Sequence, residues 1–203
     1  MKIEPTDALI AIDVQRDFCP GGALAVPGGD LVVPPLGRAI ETFRRLRLPV
    51  VYTRDWHPPD HISFRERGGP WPAHCVAGSP GAEFHRDLPV LPPGTIVSKG
   101  TRPDAEAYSG FQGTDLEGRL RALGVRRLLV GGLATDYCVK ATVLDGLRAG
   151  FRVALLADAV RAVDVRPGDG DRAVEEMVRA GARTLGTGEI EGCRDVPPAS
   201  WSS

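Results

Sequence analysis

The sequence predicts an α/β fold, a doubly wound and mostly parallel six-stranded sheet with helices on both faces in three layers. Three observations carry that expectation. Short apolar runs rich in Val, Ile and Leu recur six times, each of a length suited to a buried strand. Helix-like segments separate most of them, and such alternation folds as parallel strands joined by right-handed crossovers. The residues that follow the strands are polar and chemically capable, as expected where an open parallel sheet presents its carboxyl edge to a ligand.

Taken in order, strands are predicted at Ala8 to Ile12, Pro49 to Tyr52, Thr95 to Val97, Leu128 to Val130, Val153 to Leu156 and, with the weakest pattern, Thr184 to Leu185. Helices are predicted over Leu36 to Arg47, Asp115 to Leu123, Tyr137 to Ala149 and Arg172 to Arg179. Thr114 with Glu117 three residues later reads as a capping box, and Gly124, Gly150 and Gly181 stand where helices end. The stretch from Trp56 to Pro93 breaks the rhythm. It is rich in Gly and Pro and holds all four histidines, His57, His61, His74 and His85, and a loop that long inside a compact domain is usually functional. The expectation for the chain is one domain over 1–203, with a metal-binding loop region at 55–93 and an irregular tail at 194–203.

A length of 203 residues suffices for a sizeable core, and 42% hydrophobic with 25% charged residues is ordinary for a globular protein. With 25 Lys and Arg against 26 Asp and Glu, no basic excess draws the chain to nucleic acid or an anionic membrane, so a small-molecule partner is expected. The apolar run near the N-terminus is too short for a signal peptide or a membrane span, which predicts a cytoplasmic protein. Cys19, Cys75, Cys138 and Cys193 are widely spread and form no C-x-x-C pair, so reduced thiols are expected.

The polar residues at the predicted strand ends are Asp13 after the first, Asp55 and His57 after the second, Lys99 after the third, Gly131-Gly132 followed by Cys138 after the fourth, and Asp158 after the fifth. Each has a structural reading as well as a chemical one. Cys138 in the first turn of a helix would have its thiolate favoured by the helix N-terminus and a nearby lysine; alternatively it packs the helix on the sheet, as Cys19, Cys75 and Cys193 are expected to pack. Lys99 either bridges to a carboxylate or activates a nucleophile, and with Asp13 as that carboxylate the two readings merge into an acid/base group and an electrostatic activator around a thiol. Asp55-Trp56-His57 sets two metal-capable side chains on one side of an extended segment, with His74 able to return as a third. Three protein ligands leave open positions, as catalytic rather than structural metal sites do. His61 is a further candidate, and His85 reads as surface.

Five segments together resemble a known family: Asp13-Val14-Gln15-x-Asp17-Phe18; Asp55-Trp56-His57-Pro58 with His61 and Ser63-Phe64; Trp71-Pro72-x-His74-Cys75; Lys99-Gly100; and Gly132-Leu133-Ala134-Thr135-Asp136-Tyr137-Cys138-Val139. In that combination they resemble the nicotinamidases within the isochorismatase-like cysteine hydrolases, over about Ala8 to Gly188. The resemblance implies a catalytic triad of Asp13, Lys99 and Cys138, and an oxyanion hole of the Ala134 and Cys138 N–H groups beside a cis peptide between Leu133 and Ala134. It also implies one divalent ion, zinc before iron or manganese, on Asp55, His57 and His74. Phe18, Trp71, Tyr108, Leu133 and Tyr137 would line a pocket for the pyridine ring. Ser63 stands where some relatives carry another metal-ligating histidine, so Ser63 and His61 are assigned to the surroundings of the metal or to an extra contact. The implied reaction is hydrolysis of nicotinamide or pyrazinamide through a cysteine thioester in NAD salvage, by a protein that could assemble as a homo-oligomer.

Two competing readings remain open at this level. An isochorismatase or carbamoyl-group hydrolase would share the triad but generally lack the Asp55, His57 and His74 set; a non-catalytic metal or small-molecule module would use Cys138 only for packing. Nucleotide binding through a glycine-rich phosphate loop is disfavoured, because neither G-x-G-x-x-G nor G-x-x-x-x-G-K-[ST] occurs.

Overall fold

The computed structural model describes residues 1–90, 92 and 95–192. Cys193 and the predicted tail at 194–203 lie outside the described residues. One sheet contains β1 (Asp7–Ile12), β2 (Val50–Asp55), β3 (Thr95–Lys99), β4 (Arg127–Leu133), β5 (Arg152–Arg161) and β6 (Arg183–Leu185). Their order across it is β3-β2-β1-β4-β5-β6, and every neighbouring pair is parallel. The chain winds outward from β1 to β3, returns to lay β4 beside β1, then winds outward the other way. Connections leaving β1 and β4 diverge, and the crevice this opens at their carboxyl ends is where such sheets bind ligands.

The helices are α1 (Val33–Arg45), α2 (Leu116–Ala122), α3 (Lys140–Arg148) and α4 (Asp169–Arg179). Side chains of β1 alternate between two cores, as the two-residue period of a strand requires. Ala8, Ile10 and Ile12 join Leu116 and Leu120 of α2, Val143 of α3 and Met177 of α4. Leu9 and Ala11 point the other way, toward Leu36, Ile40 and Phe43 of α1. Those three α1 side chains have no solvent exposure, and burial of each contributes about 1.5–3 kcal/mol. The rest of that second face is covered by irregular segments, through Phe18, Val26, Cys75 and Ala82.

Several boundaries differ from the sequence reading for identifiable reasons. α1 begins at Val33 rather than Leu36, because Pro34 and Pro35 occupy its first turn, where a missing N–H costs nothing. α4 begins at Asp169 rather than Arg172, with Asp169 and Asp171 favourably placed in the first turn. β2 and β3 run on to Asp55 and Lys99, which are ladder partners, because backbone pairing does not depend on side-chain polarity. The Thr114–Glu117 capping box does not form. Asp115 is the N-cap, Thr114 Oγ1 donates to the Gly110 carbonyl at 2.6 Å, and Glu117 accepts from Arg121 instead. The predicted helix from Tyr137 divides into a π-helical turn, Thr135–Val139, followed by α3. No helix among the described residues is long and apolar enough to cross a membrane.

Gly132 fixes how closely β4 approaches β1. Its φ is +124°, and a Cβ there would lie 2.0 Å from the Ile12 carbonyl oxygen. Gly132→Ala is therefore expected to destabilise the protein by on the order of 3 kcal/mol, from backbone strain and overpacking together. Gly113→Ala meets a positive φ of +70° but nothing within 4 Å, so it should cost only about 1 kcal/mol. Urea unfolding of the two variants checks this, and equal losses would show that the contact with β1 carries no weight.

Candidate active site

The carboxyl edge delivers its polar residues to one point. Asp13 follows β1 with a φ of +46°, and the Thr53 hydroxyl donates to its Oδ1 at 2.6 Å. Lys99 ends β3 with its side chain fully buried; its Nζ lies 2.8 Å from Asp13 Oδ2, 2.5 Å from Asp55 Oδ1, 3.2 Å from the Ala107 carbonyl and 3.3 Å from Cys138 Sγ. Gln15 ties two of these strand ends together: its side-chain amide donates to the Asp55 carbonyl and accepts from the Asp55 N–H, both at 2.8 Å. Asp13 Oδ2 faces the Lys99 ammonium as an ion pair, while Oδ1 takes the Thr53 hydroxyl.

Cys138 lies in the π-helical turn that follows the cis Leu133–Ala134 peptide bond. Its carbonyl accepts from Thr142 Oγ1 at 2.7 Å, and the same hydroxyl accepts from the Gly110 N–H at 2.9 Å, which ties the turn to the loop after β3. The thiol differs from the sequence expectation in one respect. Burial pushes it well above the ordinary thiol range; Lys99 pulls it down, but Asp13 and Asp55 push it up again. A helix start and a lysine favour a thiolate less where the sulfur is buried and two carboxylates stand beside that one lysine, as they do here. Burial likewise raises Asp13 above the usual carboxylate range against the pull of Lys99. For Lys99 burial works downward, yet Asp13 and Asp55 outweigh it and hold the ammonium well above its ordinary value.

Asp55, His57 and His74 offer ligand atoms that all lie within 4.8 Å of one another, and all three residues are buried. His57 Nδ1 meets the Gly100 carbonyl at 2.9 Å and His74 Nδ1 meets that of Pro72 at 2.8 Å, which leaves each Nε2 for an ion. Burial tends to raise Asp55, but Lys99 and His57 overcome it and keep its carboxyl well below the usual range. One ionised carboxylate and two oriented imidazoles suit a divalent transition metal. Gly100 is part of this geometry, since a Cβ on it would lie 2.4 Å from His57 Cε1.

His61 does not turn a free nitrogen to the ion set. Its Nδ1 bonds Ser63 Oγ at 2.7 Å, its Nε2 bonds the Ala105 carbonyl at 3.1 Å, and its ring stacks on His57 at 4.1 Å between centroids. Both His61 and Ser63 thus brace His57 rather than extend the ligand set. Cys75 and Cys19 are buried packing residues; burial pushes Cys19 up to about 11 and Cys75 well above the ordinary range. Asp158 faces away from the site, its carboxylate accepting from the Thr187 N–H and hydroxyl at 2.8 and 2.6 Å.

A cleft opens over Cys138 between Phe18, Trp71, His74, Tyr108, Ala134 and Tyr137. Trp71 Nε1 donates to the Tyr108 hydroxyl at 3.1 Å, and the Trp71 and Tyr137 rings meet edge to face at 5.1 Å. Leu133 is not part of this wall. Its side chain points into the core on the α1 side with no exposure, because inward and outward positions alternate along β4. The sequence reading missed Leu24, Val26, Glu106 and Val163, which complete the lining. The signal for Val163 was Asp136: its carboxylate accepts from the Val163 and Asp164 N–H groups, both at 2.9 Å, and so draws the loop after β5 over the cleft.

Known proteins match this arrangement along most of the chain. A nicotinamidase of Escherichia coli (strain K12) is 40% identical over 88% of this chain and 93% of its own. The solved structure of a pyrazinamidase of Pyrococcus horikoshii in complex with zinc is 54% identical, covers 90% of this chain and 99% of its own, and superposes with a TM-score of 0.85. The structure of PnC1 from L. infantum in complex with nicotinate is 37% identical with a TM-score of 0.87, covering 94% and 98% respectively. With the isochorismatase domain matched across residues 7–189, the chain belongs to the isochorismatase family.

Proposed function

We propose that the chain is a nicotinamidase, an amidohydrolase that converts nicotinamide to nicotinate and ammonia, and pyrazinamide likewise, through a thioester on Cys138. The observation that carries this reading is the Lys99 ammonium, 2.8 Å from Asp13 and 3.3 Å from the Cys138 sulfur on the floor of an aromatic cleft. The nicotinamidase and pyrazinamidase relatives support the substrate class, and a place in NAD salvage follows from that chemistry. The free, buried thiols of Cys19, Cys75 and Cys138 support a reducing, cytoplasmic setting.

Asp13 takes the Cys138 proton on Oδ2, and the thiolate attacks the carboxamide carbon. The resulting oxyanion is received by the N–H groups of Ala134 and Cys138. Asp13 returns the proton to the departing amine, ammonia leaves, and a thioester remains. Asp13 then takes a proton from water as it attacks the thioester, and returns that proton to the Cys138 sulfur as nicotinic acid forms; the acid ionises to nicotinate, its proton taken up by the released ammonia. Lys99 stays protonated throughout and compensates negative charge at sulfur and carboxylate. The aromatic walls at Phe18, Trp71, Tyr108 and Tyr137 hold a flat ring. Asp55, His57 and His74 would hold one divalent ion, zinc before iron or manganese given the donor set and the zinc-bound relative. Such an ion supplies a Lewis-acid contact for the ring nitrogen.

Cys138→Ala is expected to abolish ammonia release, and Asp13→Asn to lower kcat by roughly 10²–10⁴-fold. Because Asp13 must be ionised to accept the proton, and burial raises it, kcat/KM should climb with pH through a limb above the ordinary carboxylate value of about 4. The raised thiol makes alkylation of resting Cys138 slow at neutral pH, and Lys99→Ala should move the alkylation profile further to the alkaline side. Rapid alkylation at pH 7, or a profile indifferent to Lys99, would contradict the proton-transfer mechanism.

Benzamide has the same amide without the ring nitrogen, so nicotinamide should exceed it by more than about 100-fold in kcat/KM, beyond what packing alone supplies. His57→Ala and His74→Ala should lower bound zinc measured by elemental analysis. Both variants should leave the alkylation profile of Cys138 largely unchanged. Equal rates on the two amides would remove the role given to the ion set.

A further inference from the structure

Glu106 lines the cleft beside the residues already described, yet neither the ion set nor the proton relay uses it. It follows β3 in the segment whose Ala105 and Ala107 carbonyls hold His61 and Lys99, so its backbone is fixed from both sides. One carboxylate oxygen accepts from the Ala107 N–H at 2.9 Å. No lysine, arginine or histidine among the described residues forms an ion pair with it, whereas Asp55, the other acidic side chain in the lining, is paired to Lys99. The cleft wall therefore carries a half-buried carboxylate without a counter-ion, close enough that its charge is felt at His74 and Tyr108.

The proposed reaction changes the charge of the bound molecule. A neutral carboxamide enters and a carboxylate remains after ammonia leaves. Asp13 and Asp55 offset Lys99 and leave part of the charge of a divalent ion on Asp55, His57 and His74 uncompensated, so with that ion bound a product anion would otherwise stay. An uncompensated negative charge on the wall acts on the product and not on the substrate. We propose that Glu106 is a specificity-determining residue that discriminates against ring carboxylates, so that the acid product is expelled and aromatic acids are excluded while neutral aromatic amides are admitted. This inference rests on the amidohydrolase reading of the same cleft.

The test compares Glu106→Gln and Glu106→Asp with the unmutated, zinc-loaded enzyme, since Gln keeps the size and the acceptor for the Ala107 N–H while removing the charge. Three quantities are read: KM for nicotinamide, Ki for nicotinate as product inhibitor, and the dependence of that Ki on salt. Glu106→Gln should lower Ki for nicotinate roughly five- to tenfold, as expected for removing a like charge from a partly desolvated wall. KM should move by a smaller factor than Ki, since the neutral amide carries no net charge for the wall to act on. Glu106→Asp should keep Ki near the original value. Salt should weaken the repulsion only in the proteins that retain the carboxylate. A Ki and KM that move together, or a Ki that does not move, would overturn the proposal. Absence of nicotinamide turnover in the unmutated enzyme would instead overturn the reaction assigned to the cleft, and the role of Glu106 with it.

Discussion

A lysine ammonium without access to solvent persists at the carboxyl edge of this sheet because the ends of β1 and β2 deliver its counter-ions. Taking Lys99 out of water would cost several kcal/mol if it were unpaired, and Asp13 at 2.8 Å with Asp55 at 2.5 Å offset that penalty. The arrangement is stable only as a set. Removing one carboxylate would leave a buried charge short of partners, a defect that typically costs about 3–5 kcal/mol. The geometry of the proposed reaction and the stability of the fold are consequently the same problem here, and strand register solves it: Asp55 lies opposite Lys99 in the ladder, and Asp13 follows the strand beside them.

That register sets strict demands on the backbone around it. β4 must lie close against β1 for Cys138 to reach Lys99, which is why the approach is made at Gly132, a residue with no Cβ. His57 must reach the Gly100 carbonyl, and a side chain at that glycine would collide with the imidazole. The Gln15 amide, bonded to both backbone groups of Asp55, keeps the β1 and β2 ends from separating. These residues touch no substrate, yet each fixes an atom that does in the proposed reaction.

Much of this could be read from the sequence, and the remainder could not for physical reasons. The six strands were legible because burial on both faces leaves continuous Val, Ile and Leu runs, and Asp13, Lys99 and Cys138 were legible because the residues that follow such runs face the ligand edge. The walls of the cleft were less so. Leu24, Val26, Glu106 and Val163 come from irregular segments whose paths are set by single polar contacts, such as Asp17 to the Cys75 N–H and Asp136 to the Val163 N–H, and such contacts leave no period in the sequence. Leu133 was misplaced because a motif position says nothing about which side of the strand it faces. The state of the thiol was misjudged for a related reason. Proximity to a helix start and a lysine can be read locally, whereas complete burial beside two carboxylates emerges only from the assembled fold.

The raised thiol and the raised carboxyl belong together. Burial disfavours charge on Cys138 and on Asp13 alike, so a thiolate formed by losing its proton to solvent would add a negative charge to a buried site already holding two carboxylates. Transfer of that proton to Asp13 avoids the addition: one anion disappears as the other forms, and the net charge around Lys99 is unchanged. The same ammonium that held the carboxylate then faces the thiolate, only 3.3 Å from the sulfur, with no rearrangement of the surroundings. Asp13 and Cys138 offer a carboxylate oxygen and a sulfur within 4.8 Å of one another, so the proton has a short path. The environment that raises the resting thiol is therefore also the one in which, in the proposed reaction, internal proton transfer is the favoured route to a nucleophile once a carbonyl carbon lies over the sulfur.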